Sequence, residues 1–244
     1  MKAPKTLPTT LNDAVYSTYR TPENQKRDIY RHPKETLEFF GVTPTMTVVE
    51  IWPSGGWYTE ILAPYLSAQG KYIISDPPAD PNGYTKPRQA WMAQNPHIAE
   101  KVVTTNFLAP THVAIAEPSS VDMVLTFRNV HNWEDKAAAF QAFYTALKPG
   151  GILGVVDHRA HATKKLDPKS GYVREKDVIA LAKKAGFQLA ASSEINANSA
   201  DSTFHPAGVW TLPPRLRLGE QDKQKYLTIG ESDRMTLKFV KPLK

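Results

Sequence analysis

The stretch 46–62, MTVVEIWPSGGWYTEIL, decides the fold. Its first six residues form an apolar run broken only by Glu50, the pattern of a strand buried on both faces of a parallel sheet. Three small residues follow, Ser54, Gly55 and Gly56. Residues 57–66 then read as a helix that stops before Gly70. A strand, a tight turn and a helix in direct succession begin a βαβ unit.

The alternation continues outward from that unit. Lys71–Asp76 (KYIISD), 102–105, Val121–Phe127 (VDMVLTF) and 151–156 (GILGVV) read as further strands. Trp91 and Met92 sit on a short helix. The segments 134–147 and 175–185 read as longer ones, closed by Gly150 and Gly186. Strands over 187–195 and 235–240 end the chain without a comparable helix between them, so a terminal antiparallel strand is expected. The fold class is therefore α/β, a doubly wound Rossmann-like sheet that is mainly parallel and covered on both faces. The connection over 196–233 is rich in Pro, Gly and Ser and too long for a hairpin, so it is either functional or disordered.

Residues 1–45 read as an N-terminal helical cap, and 46–244 as one compact unit. Thr21 stands as an N-cap before Pro22. Pro33 opens a helix that runs to Phe40 and is closed by Gly41, with Leu37 and Phe40 sharing a face near Tyr30.

Composition narrows the classes. Among 244 residues, 41% are hydrophobic and 22% charged, enough to bury a sizeable core. No apolar run approaches the roughly 18 residues that would span a bilayer. Residues 1–5 lack an apolar signal core. The net charge of +6 is scattered rather than clustered, which reads as a solvated basic surface. With a short cap and one long loop beyond the core, a small-molecule substrate is expected and nucleic acid is not. The absence of cysteine excludes disulfides, thiolate metal sites and cysteine catalysis. It suits an exported chain and a reduced cytoplasm equally, so the compartment stays open.

In open α/β sheets, ligands bind beyond the carboxyl ends of the strands, where strand order reverses. The turn at Ser54–Gly55–Gly56 lets backbone approach a ligand and offers helix N–H groups to an anion, although such turns also occur for structural reasons alone. Asp76 ends the second strand roughly 20 residues past that turn, where a carboxylate accepts both hydroxyls of a ribose. Its alternative role is to cap the turn into Pro77-Pro78. Together the two features converge on a nucleoside-like ligand.

The order of elements resembles that of class I S-adenosylmethionine-dependent methyltransferases. The resemblance rests on VVEIWPSGGWYTEIL (48–62), YIISD (72–76), VDMVLTFRNVHNW (121–133) and LKPGGILGVVDHR (147–159). More narrowly, the chain is similar to a bacterial group with runs like RDIYRHPKETLEFFG (27–41) and DRMTLKFVKP (233–242). The resemblance implies S-adenosylmethionine as cofactor. Glu50 matches the acid that orders the glycine turn and the methionine end. Ser54, Gly55 and Gly56 fall in that turn, and Asp76 matches the ribose-binding acid. Asn106 follows the third strand near the expected adenine, and Phe127 and Arg128 lie along the expected path of the methionine moiety and substrate. The wider family has acid-x-Gly-x-Gly-x-Gly here. This chain has Trp52 at the first glycine position and Ser54 at the second, so the turn is altered.

Methyl transfer needs an in-line nucleophile and, for an oxygen or nitrogen acceptor, a base. The catalytic candidates are Arg128, Asn129 and His131 after the fourth strand, and Asp157, His158 and Arg159 after the fifth. His131 leads because an imidazole titrates near neutrality. Both His131 and His158 have structural, hydrogen-bonded alternatives. No metal site is expected, because His158 and His161 lack a second ligand cluster. Tyr30, Arg31 and His32 read either as a lid, with Arg31 pairing an acidic substrate or the cofactor carboxylate, or as helix-end capping. Trp52, Trp57 and Tyr58 would wall the cofactor pocket or lie in the core, and Arg215 and Arg217 would be solvated. Two other functions share these features: a non-catalytic S-adenosylmethionine-binding protein and a nicotinamide-dependent oxidoreductase. The second would want G-x-G-x-x-G, which 52–57 does not provide.

Overall fold

The computed structural model describes residues 6–163 and 165–243. Residues 1–5, read above for an export signal, and the last residue of the 46–244 unit lie outside the described residues. Among those described, seven strands form one sheet: β1 (Thr47–Ile51), β2 (Lys71–Asp76), β3 (Val103–Asn106), β4 (Val121–Phe127), β5 (Leu147–His158), β6 (Gln188–Ser193) and β7 (Arg234–Val240). Their order is β3-β2-β1-β4-β5-β7-β6. The first five pair in parallel, and β7 runs antiparallel to both β5 and β6, inserted between them.

The chain leaves β1 toward β2 and β3 on one side and returns to β4 on the other. The carboxyl ends of β1 and β4 therefore flank the point where strand order reverses. Alternate residues of β1 face opposite cores, as a strand's period of two requires. Val49 and Ile51 join Val124, Phe140 and Phe143 in one core. Val48 joins Leu62, Leu66 and Met123 in the other.

The cap comprises α1 (Leu11–Val15), α2 (Pro22–Gln25), α3 (Asp28–Arg31) and α4 (Pro33–Phe40). Leu11, Val15, Leu37 and Phe40 bury into the same core as Val48 and as Ile61 and Leu62 of α5 (Thr59–Leu66). The cap is thus continuous with the domain's interior. Thr21 holds the N-cap position of α2 but makes no cap bond to it. Its N–H (2.8 Å) and hydroxyl (3.1 Å) donate instead to the buried carboxylate of Glu60 on α5, which ties cap to domain.

Among the boundaries that differ from expectation, three are instructive. Helix α5 starts at Thr59 rather than 57, because Trp57 and Tyr58 serve in tertiary contacts of the turn. The Trp57 indole donates to Asn24 O (2.9 Å), and Tyr58 stacks on Phe127 with ring centroids 3.7 Å apart. The helix expected over 134–147 is α8 (Lys136–Ala146), capped by Asp135, which accepts from the Ala138 N–H at 2.9 Å. Strand β5 begins at Leu147, four residues before expectation. The register between β4 and β5 shifts across Val121 and Met123, and Gly150, at φ 79°, bends the strand there instead of ending a helix.

Between β2 and β3 lie α6 (Lys86–Gln94) and α7 (Pro96–Ala99), and α9 (Glu175–Lys184) precedes β6. The long connection holds a short 3-10 turn over Gly208–Thr211 and α10 (Lys223–Ile229). Buried Asp201 organises it, accepting from the Tyr172 hydroxyl and from the backbone N–H groups of Thr203 and Asp233, each at 2.8 Å. No helix among the described residues is long and apolar enough to cross a membrane.

Candidate active site

A cleft of about 1110 Å³ opens over the carboxyl ends of the parallel strands. The turn after β1, Asp76, the ends of β4 and β5, the cap and the 209–217 part of the long connection all line it.

The altered turn keeps a glycine-like backbone. Trp52 has φ 48°, Ser54 φ 50° and Gly56 φ 84°, so all three positions of the acid-x-Gly-x-Gly-x-Gly pattern are left-handed although two carry side chains. For a non-glycine residue this costs about 1–2 kcal/mol. Packing offsets it at Trp52, whose indole donates to Phe107 O (2.8 Å) and meets Phe107 and Trp133 edge-on. Gly56 is required for a second reason. A Cβ there would lie 2.7 Å from Arg88 Cγ. Gly55 is different: a Cβ there would meet Pro87 and Tyr84 O at 3.8 Å, ordinary contact with two residues that line the cleft, so no clash within the protein demands glycine.

Glu50 lies beneath the turn, 2% exposed. Burial pushes its carboxyl up to about 7, against the opposing hydrogen bond donated by the Tyr72 hydroxyl. Asp76 lines the cleft across β1 from the β4 end. Both its oxygens already accept from Arg88 of α6, one at 3.0 Å from Nη1. A carboxylate has about four acceptor sites, so the Asp76–Arg88 fork leaves some for hydroxyl donors from the cleft. Nothing in the linear pattern announced Arg88.

The β4 and β5 ends hold the acid–base groups. Asp157, fully buried, accepts from the N–H groups of Val130 and His158 (both 2.7 Å) and from His131 Nδ1 (3.1 Å). Because an ionised carboxylate only accepts, His131 carries its proton on Nδ1 and keeps Nε2 as an acceptor. The His131 ring lies 5.3 Å from that of His158 and 6.2 Å from Trp210. His158 Nδ1 is 2.5 Å from Ser232 Oγ, and burial, reinforced by His131 and three arginines, holds its imidazole well below the usual range and neutral. Ligating atoms of His131, Asp157 and His158 lie within 4.8 Å of one another. Asp157 thus accepts three bonds, and its contact with His131 forms a histidine–carboxylate pair beside His158.

Most of the expected residues therefore converge: Glu50, Trp52, Ser54, Gly55, Gly56, Asp76, Phe127, Arg128, Asn129, His131 and His158 all line one cleft. Asn129 does so as a brace, since its amide donates to Ile51 O (2.8 Å) and to Thr126 Oγ1, linking β4 to the end of β1. Asn106 is not brought in; it is exposed at the end of the edge strand β3 and outside the cleft lining. Arg159 also points elsewhere, into Glu175, Glu194 and Asp233. Arg215 and Arg217 are exposed as expected but stand over the rings of Tyr84 and Trp210 at the cleft mouth.

Seven strands in this order, with β7 reversed and a glycine-conformation turn after β1, define the Rossmann-like fold of class I methyltransferases. A methyltransferase-domain family model matches residues 88–155. Among solved structures, an S-adenosylmethionine-dependent methyltransferase from Aquifex aeolicus is similar at 16% identity over 78% of this chain and 94% of that one, with a TM-score of 0.57. Phosphoethanolamine N-methyltransferase 2 of Haemonchus contortus, solved with S-adenosyl-L-methionine, aligns at 15% identity over 96% of this chain and 56% of its own, with a TM-score of 0.60. The cyclase SpnF aligns at 13% identity over 96% of this chain and 92% of its own, with a TM-score of 0.61. A search of curated proteins found no match.

Proposed function

We propose that the chain binds S-adenosylmethionine in the cleft and transfers its methyl group to a small-molecule acceptor. One observation carries the reading: left-handed backbone at 52, 54 and 56 is retained above a buried Glu50 even where tryptophan and serine must bear the cost. Strain of this kind persists where function requires the conformation. The residues fit the cofactor. Gly55 presents bare backbone in the cleft lining, Asp76 retains acceptor sites for ribose hydroxyls, and Glu50 is poised to ionise beside a cationic group.

When bound, the cofactor supplies an electrophilic methyl group. The chain's own work is to orient and deprotonate. Trp52, Phe127 and Tyr58 wall the cleft, and the 209–217 segment with Trp210 narrows access of water to it. His131 Nε2 accepts the acceptor's proton, while Asp157 fixes the tautomer and stabilises the imidazolium that results. His158 stays neutral and hydrogen-bonded to Ser232.

A titration with S-adenosylhomocysteine, with NAD as control, tests the binding half. Saturable heat from the first and none from the second is expected, and the reverse would favour the oxidoreductase. The altered turn, with Trp52 and Ser54 where the wider family has glycine, favours a second reading, a cofactor-binding protein without transfer. Tight binding with no methylated product across a broad acceptor panel would select it.

A further inference from the structure

On the far side of β1 from Asp76, three arginines meet one carboxylate and a fourth stands beside them. Glu231 accepts from Arg27 Nε (2.6 Å), Arg31 Nε (3.3 Å) and Arg234 Nη2. The side chain of Arg128 makes no hydrogen bond or ion pair among the described residues, and its backbone is held at φ 63° at the end of β4. All five groups line the cleft. Four guanidinium charges against one carboxylate leave three uncompensated.

The excess is felt locally. Burial and then the neighbouring Arg234 and Arg27 pull the Arg128 guanidinium down to about 10, and burial and Arg128 act on Arg31 in the same sense. Glu231 resists burial because Arg31, Arg234 and Arg27 hold it well below the usual carboxylate range. Three donors in the cluster, Arg27 Nη2, Arg31 Nη2 and Arg234 Nε, are buried without a partner. Arg31 is 3% exposed and Arg234 is 2% exposed. Burying like charges with idle donors is costly unless something satisfies them. Forked guanidinium donors match the oxygens of a carboxylate or a phosphate.

We propose that this cluster receives an oxyanion, carboxylate or phosphate, carried by the small molecule on which the protein acts. The assignment rests on the methyl-transfer reading for what then happens to that molecule, not for the binding itself. A single cofactor carboxylate would still leave two positive charges uncompensated, so the cluster has capacity for a second anion. Its position also suits an acceptor. His158 feels Arg31, Arg128 and Arg234, and its ring neighbours that of His131, so a molecule anchored here lies beside the base.

The test uses the whole chain and two probes, inorganic phosphate and malonate, with chloride at matched ionic strength as reference. Thermal midpoints and titrations are read with and without saturating S-adenosylhomocysteine. The expected result is saturable stabilisation by phosphate or malonate beyond chloride, whichever is stronger naming the acceptor's anion. Arg128→Gln weakens it at least tenfold while changing S-adenosylhomocysteine affinity less than threefold, and Arg128→Lys recovers part of the loss. Stabilisation no greater than chloride's, or equal stabilisation of Arg128→Gln, would overturn the proposal. So would a loss of S-adenosylhomocysteine affinity in Arg128→Gln as large as the loss for phosphate, since the cluster would then hold the cofactor's carboxylate. Anion binding without S-adenosylhomocysteine binding would uphold the anion site and remove the methyl-transfer reading.

Discussion

On the β2 side of the cleft, Asp76 and Arg88 neutralise each other, and burial raises the Glu50 carboxyl beneath them to about 7, so that it is only about half ionised near neutrality. On the β4–β7 side, three guanidinium groups share Glu231, and a fourth, that of Arg128, has no counter-ion among the described residues. The first arrangement is close to charge balance before any ligand arrives; the second is not. A closed charge account suits a site that recognises a neutral sugar and base by hydrogen bonds. An open one suits a site whose ligand brings the missing charge.

Substitutions that touch both sides sharpen the contrast. The largest effect is expected from His131→Ala, which should slow methyl transfer by roughly 10²–10⁴-fold, the usual contribution of a positioned base. Cofactor affinity, read by titration, should stay within about twofold. A matching fall in thermal midpoint and activity would make His131 structural instead.

Glu231→Gln comes next. Leaving buried guanidinium groups without their anion should lower stability by about 3–5 kcal/mol in urea unfolding. Arg128→Gln should move the midpoint the other way in the absence of anion, because it removes one uncompensated charge. If both variants lose stability equally, the cluster is balanced by groups other than Glu231 and the contrast fails.

Glu50 gives a pH signature. In the unfolded chain its carboxyl releases a proton near 4.5, while in the folded protein it holds the proton to about 7. The folded state thus binds more protons across that window, and this group's contribution to stability falls as pH rises from about 4.5 to 7. The full difference is about 3 kcal/mol as an upper figure. Urea midpoints of Glu50→Gln should lack that decline; an unchanged pH profile would refute the raised value. For the same reason, affinity for a cofactor bearing a cationic group should increase with pH through about 7.

The smallest effect is at Ser54. Glycine relieves left-handed strain of about 1–2 kcal/mol but adds roughly 0.5–1 kcal/mol of unfolded-state entropy, so Ser54→Gly should stabilise by about 0.5 kcal/mol. A loss of stability would mean that the serine side chain supports the turn.

The sheet was legible because each buried strand had to be apolar throughout: 46–51, Lys71–Asp76 and Val121–Phe127 fell within one residue of their observed limits. The turn after β1 was legible by position, yet its backbone was not, because Trp52 and Ser54 conceal a conformation that glycine would have advertised. The histidine–carboxylate pair was half visible. Asp157 lies near the end of β5 and His131 follows the end of β4, adjacent parallel strands, and that adjacency is the signal that could have joined them. The charge pattern was invisible. Arg27 and Glu231 are separated by 204 residues, and Arg88 reaches Asp76 from a helix with weak apolar patterning. The first pairing arises only when β7 inserts beside β5 and the cap folds against the sheet, the second only when α6 packs beside the end of β2. Asn106 shows the converse error, since an edge strand carried it out to solvent.

The account depends on Asp76 and the turn after β1 engaging one adenosyl ligand, and titration with S-adenosylhomocysteine addresses that directly. Wild type should bind saturably, and Asp76→Ala should bind at least tenfold more weakly. The double variant Asp76→Ala/Arg88→Met, which leaves no lone buried charge, should show the same loss. Wild-type affinity in that double variant would contradict the account.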